Sequence, residues 1–190
     1  MVDVARSELI LGGQRSGKSN RAEQLAGAWL AADPSRRAVM VATAQAWDEE
    51  MRERIAHHQH TRALALPRMR TVEEPLALAE VLSRHSDAQT LLVVDCLTLW
   101  LTNLLMPLDP QQARDEAAVG RASHALCVAL AQAQGPVVLV SNEVGLGVIP
   151  MGREVRAYVD ALGRLNQQVA GVCQRVTLMA AGLPLALKSA

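Results

Sequence analysis

Five short apolar runs punctuate this chain, at residues 8–11, 38–42, 90–95, 136–141 and 175–180. Their interiors, such as Leu91-Leu92-Val93-Val94 and Val137-Val138-Leu139-Val140, are continuously hydrophobic rather than alternating. A strand of that kind is covered on both faces, as strands of a parallel sheet are. Between the runs lie longer stretches of helical pattern, at 18–32, 47–60, 76–85, 111–134 and 152–173. Strands that alternate with helices predict a doubly wound α/β fold, a mostly parallel sheet with helices on both faces. Residues 107–110 read as a loop. The tail Leu183-Pro184-Leu185-Ala186-Leu187-Lys188 predicts an added edge strand. Ligands of such folds bind beyond the carboxyl ends of the strands, so the residues that follow each run are the ones to inspect for chemistry.

Composition narrows the picture. A chain of 190 residues, half of them hydrophobic, fits one domain (1–190) that buries roughly 70% of its unfolded surface. The formal net charge is zero and no long basic run exists, which argues against a nucleic-acid partner. With no Phe and one Tyr, platforms for stacking bases are missing too. The apolar runs are too short for a membrane span, and the first six residues lack the pattern of a signal peptide. Cys96, Cys127 and Cys173 show neither disulfide nor zinc spacing. Together these features predict a cytoplasmic protein.

The strongest chemical signal follows the first run. Gly12-Gly13-Gln14-Arg15-Ser16-Gly17-Lys18-Ser19 reads G-x-x-x-x-G-K-S between a strand and a helix. The glycines let backbone N–H groups turn toward phosphate oxygens. Lys18 reaches the β- and γ-phosphates, the Ser19 hydroxyl suits Mg²⁺, and the helix aims its positive end at the anion. The expected fold is therefore of the P-loop nucleotide-binding type.

Other candidates are weaker one by one. Asp95 ends an apolar strand and is a candidate Mg²⁺ ligand, or simply a turn cap. Ala42-Thr43-Ala44 ends the second strand, where Thr43 could donate to a phosphate or a ribose. The stretch 47–60 holds His57, His58 and His60, three of five histidines. On a helix, His58 lies about 20° from Met51 and near Ile55, whereas His57 and His60 point away from that stripe. His58 is either an inward structural residue or a nucleophile, since neutral imidazole attacks phosphorus. Glu73-Glu74-Pro75 reads as an acidic helix start with Pro75 in the first turn. Asn142 and Glu143 enter a polar, Gly-punctuated loop at the ligand edge.

Taken together, the motifs resemble one family. They run G-G-x-R-S-G-K-S, A-T-x, D-E-M-x-x-R-I-x-x-H-x-x-x-R, an acid-ended strand into C-L-T-x-W-L-T-N-L, S-N-E-V-G-x-G-x-x-P, and G-R-x-N-Q. This is similar to the bifunctional adenosylcobinamide kinase/adenosylcobinamide-phosphate guanylyltransferases of cobalamin biosynthesis, over nearly the whole chain. The resemblance implies phosphorylation of adenosylcobinamide by ATP or GTP. GMP is then transferred from GTP, through a GMP–histidine intermediate, to adenosylcobinamide phosphate, giving adenosylcobinamide-GDP. It places that histidine at His58, with His57 adjacent, and lines the nucleotide with Gln59, His60, Thr61 and Arg62. It assigns guanine- and metal-side acids to Glu73 and Asp95, and implies a homotrimer. Two positions depart from the family pattern: Ala63 stands where Pro is usual, and Met151-Gly152 where an acid is common. The competing readings are a monofunctional small-molecule P-loop kinase with a structural His58, and a nucleotide-dependent switch or motor. The second would need partner surfaces, which a chain without a basic face or appended domain does not advertise.

Overall fold

The structure is a computed structural model that describes residues 3–46 and 49–189. Within its second helix, the side chains of Met51, Arg54, Ile55, His57, His58 and Gln59 lie outside that description, as do Trp47 and Asp48 before it. The described residues form seven strands: β1 (Ser7–Gly12), β2 (Arg37–Ala42), β3 (Met69–Glu73), β4 (Thr90–Asp95), β5 (Val137–Val140), β6 (Arg175–Ala180) and β7 (Leu183–Lys188). Six α-helices connect them: α1 (Lys18–Ala32), α2 (Glu49–Ala65), α3 (Leu78–His85), α4 (Leu97–Leu105), α5 (Glu116–Gln132) and α6 (Arg153–Val172).

All seven strands join one sheet in the order β3-β2-β4-β5-β1-β6-β7. Only the β6–β7 pairing is antiparallel. The predicted edge strand is thus β7, and its Pro184 sits at the sheet margin, where a missing N–H costs no ladder bond. The mostly parallel, doubly wound expectation holds.

The apolar runs work as the pattern implies. Successive residues of a strand point to opposite faces. Leu9, Leu11, Val39, Val41, Leu92, Val94, Val137 and Leu139 enter the layer built with α3, α4, α5 and α6. Ile10, Ala38, Met40, Leu91, Val93, Val138 and Val140 enter the layer on the other side, against Ala22, Leu25, Ala26 and Leu30 of α1. Both faces of the central strands are therefore dry.

Two elements escape the sequence pattern. Met69-Arg70-Thr71-Val72-Glu73 forms the outer strand β3, with one buried residue, so it lacks an apolar run. The helix α4 follows β4 after one residue, and no Gly or Pro separates its apolar stretch from the strand. The predicted helix at 111–134 is split. Asp109 caps a single 3₁₀ turn at Pro110–Gln112, and Asp115 then caps α5 by accepting the Ala118 N–H at 2.7 Å. The expectation for Pro75 also needs correction. α3 begins at Leu78, and the Glu74 carboxylate caps the preceding bend, accepting from Leu76 N at 2.9 Å and Ala77 N at 2.7 Å.

Leu92 is fully buried at the centre of the sheet. Leu92→Ala should destabilise the fold by about 2–5 kcal/mol. Urea denaturation should show the midpoint falling at an unchanged slope, and a midpoint within error of the parent would contradict the packing described.

Candidate active site

The loop after β1 has the backbone that its sequence demands. Gly12 and Gly17 lie at φ 153° and 101°, and Arg15 adopts the left-handed region at φ 55°. A Cβ on Gly12 would lie 2.5 Å from Ser16 Oγ and 2.6 Å from the Met179 carbonyl oxygen, so only glycine fits between the loop and β6. The loop is tied by Ser16 N–H to the Gly13 carbonyl at 3.3 Å. The Gly182 N–H, in the β6–β7 turn, donates to the Ser16 carbonyl at 3.1 Å. Ser16 Oγ is buried and has no partner among the described residues. Gly13, Gln14 and Arg15 are exposed at the tip.

Lys18 opens α1 and is only 8% exposed. Its ammonium donates to the Gly13 carbonyl at 2.6 Å, a bond that a phosphate oxygen would compete for. Burial lowers its pKa, and Cys96 and Asp95 oppose that shift. The Cys96 thiol is itself pushed up to about 11 by burial. Ser19, the next residue of α1, is half-buried.

Sheet register aligns three of the predicted residues. Ala42 pairs with Asp95 on one side and with Glu73 on the other, so all three stand level at the ends of β4, β2 and β3. Thr43 is next and is fully buried. Its hydroxyl donates to the Cys96 carbonyl at 2.7 Å and accepts the Cys96 N–H at 2.8 Å, while its own N–H donates to the Asp95 carbonyl at 3.1 Å. The one hydroxyl proton is thus committed to clasping β2 to β4 rather than turned to a ligand. Asn103 of α4 adds to the clasp, its Nδ2 donating to the Thr43 carbonyl at 2.7 Å and the Pro75 carbonyl at 3.1 Å. Ala44 is half-buried just beyond.

From α2, His60 and Thr61 are exposed, whereas Arg62 is buried and pairs through Nε with Glu23 of α1 at 3.2 Å. This ion pair joins the histidine-bearing helix to the helix that starts with Lys18. The side chains of His57, His58 and Gln59 lie outside the described residues. Among the described residues, no group of three or more His, Cys, Asp or Glu could hold a metal ion.

Sequence reasoning left Asn103, Asn166 and Glu23 without roles. Asn103 and Asn166 had a signal, since both are polar and nearly fully buried in otherwise apolar helix faces. Asn166 of α6 accepts from Ser141 Oγ at 2.7 Å and donates to the Asn142 carbonyl at 3.0 Å. It thereby fixes the chain that leaves β5.

A glycine-lined loop between a buried strand and a helix, with a buried lysine at its end and an acid close enough to act on that lysine's charge, defines a P-loop nucleotide-binding α/β protein. The more particular assignment comes from comparison. The profile of the CobU family, cobinamide kinase / cobinamide phosphate guanyltransferase, matches residues 8–187, and the chain belongs to that family. It is 50% identical over 181 residues to the bifunctional adenosylcobalamin biosynthesis protein CobP of Pseudomonas aeruginosa, covering 95% of this chain and 96% of that one. It is 34% identical over 187 residues to the corresponding protein CobU of Escherichia coli, covering 95% and 98%. The fold is also shared with flagellar accessory protein FlaH from Methanocaldococcus jannaschii. There the TM-score is 0.55 at 12% identity, over 99% of this chain and 80% of that one. A Pyrococcus horikoshii protein gives the same score at 11% identity, over 99% and 88%.

Thr43→Val keeps the shape of the clasp, leaves the Cys96 N–H unpaired, and leaves the Cys96 carbonyl with the Trp100 N–H as its remaining partner. It should lower stability by about 1–3 kcal/mol, whereas Thr43→Ser should stay near the parent. Equal stabilities for Val and Ser in urea denaturation would mean that the clasp contributes nothing.

Proposed function

We propose that this chain performs both reactions of its family on one corrinoid: it phosphorylates adenosylcobinamide from a nucleoside triphosphate, then passes GMP from GTP to the phosphate so formed. The observation that carries the reading is the buried Lys18, held at the Gly13 carbonyl in a glycine cradle and within the electrostatic reach of Asp95. Only an anion of high charge density repays the desolvation of that ammonium.

Gly12, Gly13, Gln14, Arg15, Ser16 and Gly17 would wrap the phosphates through backbone N–H groups, with Lys18 on the transferring oxygens. The Ser19 hydroxyl and Asp95 carboxylate are hard oxygen donors that fit Mg²⁺, and the ion would supply charge neutralisation at the phosphates. Ala42, Thr43 and Ala44 form the wall that ends β2. Glu73, level with Ala42 at the end of β3, would face the guanine side.

For the second reaction we assign the nucleophile to His58 in α2, on the family resemblance. A ring nitrogen attacks the α-phosphorus of GTP, a P–N bond forms, the α–β P–O bond breaks and pyrophosphate leaves. A phosphate oxygen of the corrinoid then attacks the same phosphorus and the P–N bond breaks. Gln59, His60, Thr61 and Arg62 follow on the same helix, and the Arg62–Glu23 pair ties that helix to the phosphate cradle. The resemblance also supports a homotrimer acting in the cytoplasm. Among the described residues, no helix is long and apolar enough to cross a membrane.

Lys18→Ala should reduce both reactions by about 10²-fold or more with the fold retained. Steady-state assay of each reaction checks this, and near-normal turnover of both would remove the loop from the mechanism. His58→Ala should abolish acid-labile labelling by α-labelled GTP while kinase turnover with ATP persists, because direct γ-transfer to an alcohol needs no nucleophile. Labelling that survives in His58→Ala but disappears in His57→Ala would move the assignment by one residue. Labelling that survives in every histidine variant would leave a plain kinase.

A further inference from the structure

Phosphorylation of an alcohol needs a group to take the hydroxyl proton, and none of the roles above provides one. The strand order points to the place. β5 stands between β1, which carries the phosphate loop, and β4, which carries Asp95. Val140 at the end of β5 is level with both Ile10 and Asp95. The chain then runs through Ser141 and Asn142 to Glu143, whose N–H donates to the carbonyl of Gly12 at 3.1 Å. Glu143 is therefore fastened by its backbone to the first glycine of the phosphate cradle.

That placement is rigidly supported. Ser141 N–H donates to the Ile10 carbonyl at 3.0 Å, and Asn142 N–H to Thr98 Oγ1 at 2.8 Å. The Asn166 side chain bonds both Ser141 and Asn142. The Glu143 carboxylate itself is little used. Among the described residues it accepts one hydrogen bond, from Gly145 N–H at 3.3 Å, and pairs with no cation.

Beyond Glu143 lies a groove between the loop 144–150 and α6. A cavity of about 350 Å³, lined by Glu143, Asn166 and Gln167 and running against Leu11 of β1, Val176 of β6 and Lys188 of β7, adjoins one of about 470 Å³ lined by Val148, Ile149 and Arg156. The two share Gly163 and Gln167. The loop presents bare aliphatic groups to solvent, with Val148 96% and Ile149 78% exposed. A run of such residues beside a cleft of mixed polar and apolar lining marks a binding surface.

We propose that Glu143 is the general base of the kinase reaction, and that the corrinoid acceptor lies along this groove with its hydroxyl at the Glu143 end. The occupant follows from continuity. The acceptor oxygen must come within bonding distance of the γ-phosphorus, and this groove opens from the residue joined to the phosphate loop. A corrin ring has broad apolar faces and an amide rim, which match the aliphatic loop and the Gln167 and Arg156 side chains. As the oxygen–γ-phosphorus bond forms and the β–γ bridge breaks, the hydroxyl proton passes to the Glu143 carboxylate and then to water. The nucleoside diphosphate departs. Guanylyl transfer has an anionic phosphate as acceptor and needs no such base. The proposal rests on the kinase reading of the site.

The test compares both reactions in purified full-length protein, with cobinamide and separately supplied cobinamide phosphate as acceptors. Glu143→Gln should lower the ratio of kinase to guanylyl-transfer turnover by about 10²-fold or more. Added formate should restore part of the kinase turnover of Glu143→Ala, and labelling by α-labelled GTP reports that each variant is folded. Val148→Asp should raise KM for cobinamide at least tenfold more than KM for GTP. Equal loss of both reactions in Glu143→Gln, a raised Mg²⁺ requirement without loss at saturation, or no formate rescue would each overturn the base assignment. A cobinamide KM untouched by Val148→Asp would overturn the groove. Parent protein that labels with GTP yet never phosphorylates cobinamide would instead overturn the kinase reading on which both stand.

Discussion

A buried ammonium is the constraint around which this molecule is arranged. Lys18 sits at 8% exposure, and burial pulls its pKa down because the charged form loses water. A carbonyl at 2.6 Å and a carboxylate nearby compensate only in part. The cleft therefore holds unpaired positive potential, which the helix end of α1 reinforces. Phosphate groups would supply the missing negative charge. Affinity for nucleotide and the mild discomfort of the free cradle are thus two sides of one electrostatic balance.

Keeping that balance requires Asp95 to stand at a fixed distance from the loop, and the strand order provides it. Placing β5 between β1 and β4 separates cradle and acid by one strand more than direct adjacency would. The gap is filled by the chain that leaves β5, whose Glu143 N–H reaches Gly12. The clasp of Thr43 around Cys96 then fixes the end of β4 to β2. None of these contacts touches a phosphate, yet each limits where a charged group can move. Positional freedom of even an ångström weakens preorganised electrostatics steeply, so such supports matter as much as the charges they hold.

Much of this was legible in the sequence because the signals are local. A central strand of a parallel sheet needs a largely apolar run, and the predicted strand 90–95 coincides with β4 to the residue; the predicted 175–180, interrupted by Thr177, coincides with β6. The glycine loop and α1 were legible because their chemistry is compressed into eight neighbouring residues. The outer strand β3 was not, because Arg70, Thr71 and Glu73 face solvent and leave no apolar run. The helix α4 was hidden for the opposite reason. Leu97 to Leu105 is so apolar that it merges with the strand before it, and only the chain reversal shows where one ends.

What the sequence conceals at the site is the partner of each polar group. Thr43 reads equally as a phosphate donor and as a strand end, and only the position of Cys96 fifty-three residues away decides. Asn103 and Asn166 share this property, since each bonds backbone carbonyls from a distant element. A buried amide must find such partners or pay heavily for desolvation. A polar residue inside an apolar helix therefore announces a long-range hydrogen bond without naming its other end. The same logic applies to Glu143 with the sign reversed. Its own N–H and the two residues before it are held, while among the described residues its carboxylate accepts a single hydrogen bond, and an acid anchored in that way beside a phosphate cradle is placed for a proton rather than for the fold.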